Sequence, residues 1–176
     1  MSRIEMVEIP NQSQLSHHSP KASFSDSFGF VVADELRSPQ QVYLDIFGHL
    51  PAWIERLMRL RNQIVGVLGF ETSPEITPLT LQKLMTNELG GIHQLAYSSD
   101  QEIVCTSRDK HIQVSLSVLK LNSGKFVLST QVDTFTLCGA IYLQAIIPFH
   151  KLIAASSIRS MLRREEHKKA EHQGSA

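Results

Sequence analysis

Between residues 92 and 136 the hydrophobic pattern of the chain settles on a period of two. Four runs carry it in succession: IHQLAYS, EIVCTSR, HIQVSLSVLKL and KFVLSTQVDTFT. Alternation of this kind is the signature of half-buried strands. The turns between the runs are short: Ser98-Ser99-Asp100, a polar knot at 107–110, and Asn122-Ser123-Gly124. Strands joined by so few residues pair antiparallel, because a parallel pair needs a crossover of a dozen residues or more. In the third run Ile112, Val114, Leu116 and Val118 share a face. The parity slips at Leu119, which predicts a bulge or the end of core contact. In the fourth, Phe126, Leu128, Thr130 and Val132 face one way, and Ser129, Gln131 and Asp133 the other. One side of this sheet is expected to be packed and the other wet.

The flanking segments complete an α+β order. DSFGFVVA, 26–33, places Phe28, Phe30 and Val32 on one face of a strand. SPQQ, 38–41, starts a helix over 39–48: Ser38 caps, Pro39 suits the first helical position, and Gln41 reaches back. Pro51 opens a second helix over 51–68. There Trp53, Leu57, Leu60, Ile64 and Val67 recur at spacings of three and four, and Ile54, Met58, Val65 and Leu68 widen the stripe. Gly69 is its expected cap. Residues 71–91 read as a linker containing Pro74 and Pro78, with a short helix near LTLQKLMTNEL, closed by Gly90-Gly91. A long helix over about 139–166 ends the fold, and Pro148 should kink or split it. Strand, two helices, meander, long helix describes a helix-grip architecture: a curved antiparallel sheet packed on a long C-terminal helix, with two short helices after the first strand.

At 176 residues the chain suits one domain. Residues 1–23 lack a period and read as a flexible arm, 24–166 as the single helix-grip domain, and 167–176 as a disordered tail. Lys+Arg and Asp+Glu both number 17, a balance that argues against a dedicated nucleic-acid binder. Cys105 and Cys138 stand in no metal-binding spacing and read as buried thiols, and the adjacent His17 and His18 lack further ligands. Neither a metal nor a cofactor is expected. The N-terminus has no apolar core of the signal-peptide kind, which points to the cytoplasm. LCGAIYLQAIIPFHKLIAASSI, 137–158, is the nearest approach to a membrane span. His150 and Lys151 within it favour a buried amphipathic helix instead.

Three stretches together carry a family resemblance: DSFGFVV…PAWIERLMRLRNQIVGVLGF, DKHIQVSLSVLK and IYLQAIIPFHKLI. Over roughly 24–160 the chain resembles an uncharacterised bacterial domain-of-unknown-function family related to the START-like, polyketide-cyclase-like (SRPBCC) superfamily. The family's acidic-basic-His stretch is matched by Asp109, Lys110, His111 and Ile112, with Gln113 where an acidic residue usually follows. Its Pro-Phe-His element is matched by Pro148, Phe149 and His150. The resemblance implies the helix-grip fold and assigns no reaction.

Two functional readings follow. In the first, a hydrophobic or amphipathic small molecule sits between sheet and helix against Trp53, Met58, Phe126, Tyr142 and Phe149. In the second, a cyclase- or hydrolase-type enzyme uses Asp109 with His111 or His150 as general base, since a carboxylate beside an imidazole fixes its tautomer and raises its basicity. That requires the groups to share one pocket. A third reading, a protein-interaction module docking through the arm and the charged C-terminal helix, names no particular partner. An exposed polar turn and a satisfied core histidine remain the simpler roles for these residues.

Overall fold

A computed structural model describes residues 4–18, 22–67, 79–89, 93–122 and 124–173. Its elements run β1 (Glu5–Met6), α1 (Gln14–His18), β2 (Phe24–Val31), α2 (Pro39–Phe47), α3 (Ala52–Val67), α4 (Leu81–Met85), β3 (Leu95–Ser98), β4 (Glu102–Arg108), β5 (Ile112–Asn122), β6 (Lys125–Thr134) and α5 (Leu137–Gln173). The expected helix end at Leu68 and Gly69, Pro74, Pro78 and the Gly90-Gly91 pair lie outside the described residues.

The six strands form one antiparallel open sheet in the order β1-β2-β6-β5-β4-β3. The meander β3 to β6 is as the period predicts. The first long strand, β2, lies beside the last, β6, with Phe28 opposite Leu128 and Phe30 opposite Phe126. Reaching the far edge of the sheet from β2 therefore takes a crossover through α2, α3 and α4. The β5–β6 turn passes through Gly124 at φ +75, a conformation that L side chains rarely adopt. A Cβ there would also lie 2.8 Å from the carbonyl oxygen of Val32. The parity slip near Leu119 corresponds to a register shift between Lys120 and Asn122.

The core fills the space between one sheet face and the helices. Phe28, Phe30, Val32, Ile103, Cys105, Leu116, Val118, Phe126 and Leu128 project from the strands. They meet Val42, Tyr43 and Ile46 of α2 and Ala154, Ile158, Met161 and Leu162 of α5. Each large side chain buried this completely contributes roughly 1.5–3 kcal/mol relative to exposure. Helix α2 starts as its sequence predicts. The Ser38 hydroxyl accepts from the Gln41 amide, and the Gln41 side chain accepts from the Ser38 amide. The cation of Arg37 ties this helix to α5, bonding both Asp45 and Glu165.

Several expectations change. The second sheet face is not wet. Ser27, Ser115, Ser117, Ser129 and Gln131 on it are all buried. Residues 4–18, which show no period, cross to this face: β1 pairs with β2, and Ser13 and Leu15 are buried. Their anchor is Glu102, 2% exposed, which accepts from the Ser13 hydroxyl at 2.6 Å, the Gln14 amide at 2.8 Å and the Ser117 hydroxyl. A buried carboxylate is tolerable because three donors replace its water.

Helix α3 buries a different edge from the one its spacing favours. Ile54 is fully buried, whereas Trp53 and Leu60 are exposed. Helix α5 runs to Gln173 as a single element through Pro148. Pro148 and Gln144, whose carbonyl loses its amide partner to the proline, are both exposed, so water can serve that carbonyl. Nor is the first half of α5 the buried helix expected. Leu137, Ile141, Phe149 and Leu152 are exposed, and only 17% of its most apolar stretch is buried. Among the described residues α5 is the one helix whose length and apolar composition would suffice to cross a membrane.

Candidate functional site

The polar knot at 107–110 builds the corner where the sheet hands over to α5. Asp109 Oδ1 accepts from the backbone amides of His111 at 2.7 Å and Ile112 at 2.9 Å. The aspartate thus caps the turn and makes no bond to the imidazole through that oxygen. His111 Nδ1 lies 2.8 Å from Thr136 Oγ1, and the His111 carbonyl accepts from Phe135. Gly139 then lets α5 settle on that carbonyl, since a Cβ at this position would lie 2.4 Å from the oxygen. From Gly139 the helix climbs eleven residues to His150, about 16 Å at 1.5 Å per residue. His111 therefore lies at the corner before the start of α5 and His150 near the middle of that helix, so Asp109 and His150 stand apart.

His150 has another partner. Its Nε2 lies 3.2 Å from Oδ1 of Asp26 on β2, and the Phe24 ring meets the imidazole edge-on at a centroid distance of 5.7 Å. The Asp26 side chain is 4% exposed and that of His150 is 25% exposed. Asp26 stands opposite Thr130 of β6, which is also buried. Strand parity brings this about: Asp26 shares the inward face of β2 with Phe28 and Phe30. It is the charged residue of that face. Its second oxygen, Oδ2, is buried and has no hydrogen-bond partner among the described residues. The pair thus sits at the seam where the first half of α5 packs on β2 and β6. The inner side of α5 there carries Leu143, buried, and Ile146 and Ile147, half-buried.

A carboxylate in that position does two things. It fixes the orientation of the imidazole, and through Oδ2 it offers a strong acceptor to a donor that reaches the seam. An unmet buried acceptor costs about 1–3 kcal/mol, so a bound donor recovers that energy.

The five apolar residues expected to surround a ligand fall in separate places. Phe126 is wholly buried and stacked on Phe30. Tyr142 packs near Ile112 and Cys138 at the α5 corner. Phe149 is 49% exposed on the far side of α5. Met58 is half-buried on α3. Trp53 borders an open groove of about 520 Å³ between α3 and α5, together with Arg159, Arg163, Arg164 and His167.

A second polar chain lies under α2. The Tyr43 hydroxyl is 2.9 Å from His93 Nδ1, and the ring of His93 packs against Tyr43 and Phe47. Burial among these groups lowers the imidazole to a pKa of about 4, so the ring is neutral near pH 7 and accepts from the tyrosine. Burial also pushes the neighbouring Cys105 thiol up to about 11, which keeps it protonated and a poor nucleophile. Both cysteines are free. This cluster reads as a satisfied structural network.

A family model described as a protein of unknown function, DUF2867, matches residues 18–157. The chain belongs to this family. The DUF2867 match spans β2 through most of α5, so it contains both Asp26 and His150. No curated protein and no solved structure matches the chain.

Proposed function

We propose that this protein binds a small amphipathic molecule at the seam between β2, β6 and α5, with Asp26 and His150 holding its polar end. One observation carries the reading: a carboxylate 4% exposed, with one oxygen on His150 and the other without a donor among the described residues. The ligand class follows from chemistry. Oδ2 of Asp26 is placed to accept, so the ligand presents an O–H or N–H group to Asp26 and an apolar body to the helix. The order of elements, with β2 beside β6 and a long closing helix, supports placing the fold with the START-like helix-grip proteins, which enclose space in the same region. That second step is an argument from fold analogy. Native mass spectrometry of freshly purified protein, followed by solvent extraction, tests the reading. A stoichiometric adduct should be present in the His111→Ala variant and absent from Asp26→Ala. An adduct that survives Asp26→Ala would place the ligand elsewhere.

The His150–Asp26 pair also favours a second reading, acid–base catalysis on the bound molecule. His150 is oriented by a buried carboxylate yet a quarter exposed, so a substrate proton can reach it. Hydrolysis of a panel of simple aryl esters is the direct assay. General-base catalysis predicts a loss of about 100-fold or more in His150→Ala. Turnover indifferent to that change would leave the binding reading alone.

A further inference from the structure

We propose that the outward face of α5 docks the protein on an anionic phospholipid surface. Leu137, Ile141, Ala145, Phe149, Leu152, Ser156, Arg159, Arg163 and His167 follow one another at spacings of three and four, which puts them on one helical face. All are exposed except the half-buried Ser156. The face is apolar along its first half, with Leu137 at 77%, Ile141 at 63%, Leu152 at 53% and Phe149 at 49% exposure. Along its second half it carries Arg159, Arg163 and His167, with one exposed acid, Glu166, at its edge, so the basic groups outnumber the acidic one. Phe135, 45% exposed beneath the Arg108 guanidinium, extends the apolar end at the corner.

The basic half has the marks of a phosphate seat. Arg159 and Arg163 stand four residues apart with no acidic partner among the described residues, and like charges at that spacing repel. Arg164 is held in place beside them by the carbonyls of Asp45 and His49. Trp53 closes the other wall of the same 520 Å³ groove. Tryptophan beside arginine, at the border of an apolar stripe, suits the headgroup layer, where an indole has one apolar and one wet side. The distance fits as well. Ile141 and Arg159 are about 27 Å apart along the helix, so a modest tilt sinks the apolar end about 5–10 Å while the arginines stay among the phosphates.

A second copy of the chain is the rival occupant, and charge disfavours it. Two such faces packed antiparallel about their middle would set apolar halves on basic halves. Packed parallel, they would set arginine on arginine. A negatively charged bilayer complements both halves at once.

Sedimentation of the full chain with vesicles tests this, using phosphatidylcholine alone and an equal mixture with phosphatidylglycerol. Binding to the mixture is expected to exceed binding to phosphatidylcholine, and to weaken as salt rises. Arg159→Gln with Arg163→Gln should weaken it about 25-fold, at about five-fold per arginine near an anionic surface. Ile141→Ser with Phe149→Ser should weaken it by about ten-fold or more. All four residues are exposed, so the variants keep the fold. Absence of binding to either vesicle overturns the proposal, as does equal binding to both that ignores the arginines. A dimer seen by light scattering that Ile141→Ser dissolves, without vesicle binding, assigns the face to a second copy instead.

Discussion

Asp26 and His150, 124 residues apart in the chain, meet at 3.2 Å across the seam between the sheet and its closing helix. The contact joins the second strand to the middle of the last helix. It places the one charged side chain of the inner β2 face where, among the described residues, an imidazole is the side chain that answers it.

A group kept at such a position at a cost to folding should reveal that cost on removal. Asp26→Leu should raise stability by about 1 kcal/mol, since an unmet buried acceptor is replaced by apolar surface. Equilibrium urea unfolding measures this. A fall of that size instead would make Asp26 a structural support.

Acid should weaken the fold through His93. Its ring titrates near 4 when folded against 6.5 when free. Above pH 6.5 both states are neutral and the contribution is complete. As pH falls from about 6.5 to 4, the unfolded chain binds a proton that the folded chain refuses, and about 3 kcal/mol is lost. Thermal melts across that window should decline steeply in the native sequence. In His93→Gln, which can still accept from Tyr43, they should decline less. Parallel curves would assign the acid sensitivity to other groups.

Gly139 is where helix and sheet touch backbone to backbone. Gly139→Ala should cost more than about 2 kcal/mol, because its methyl would have to displace the His111 carbonyl rather than a side chain. In a helix interior free of such contact the same change would stabilise by roughly 0.5–1 kcal/mol. A fall in the unfolding midpoint is therefore the expected sign, and a rise would show that the site can absorb a methyl group.

Glu102→Ala should release the N-terminal segment. Three donors lose their acceptor, and a penalty of about 3 kcal/mol is expected. Hydrogen exchange should become fast at the amides of Gln14 and Leu15 while the inner strands stay protected. Uniform exchange across the chain would instead show that the segment and the sheet open together.

The sheet was legible because alternation reports which face of a strand is buried, and α2 because its cap is written in consecutive residues. The candidate site was half legible. Pro148-Phe149-His150 marked the helix side, and Asp26 stood on the inward parity of β2 beside Phe28 and Phe30, a signal available in eight residues. What no local pattern carries is the register that sets β2 against β6, and with it the pairing of Asp26 with His150 rather than Asp109. The same limit hid the burial of the serine face. Glu102 lies on the polar parity of β4, and only a segment from a distant part of the chain covers it. On α3 and α5 the period located helices but not which stripe meets the protein, since both carry more apolar surface than the core consumes.

The neighbourhood of β2 and β6 has a consequence for how the protein is made. Phe28 pairs with Leu128, so a ribosome finishing β2 must add one hundred more residues before its partner strand exists. At about 5–20 residues per second that is a wait of about 5–20 seconds. The β5–β6 hairpin, turning at Gly124, can form within its own length and then serve as the template that captures the waiting strand. During that interval Phe28, Phe30 and Val32 have only the two-residue β1 beside their strand, and shelter from chaperones matters most there.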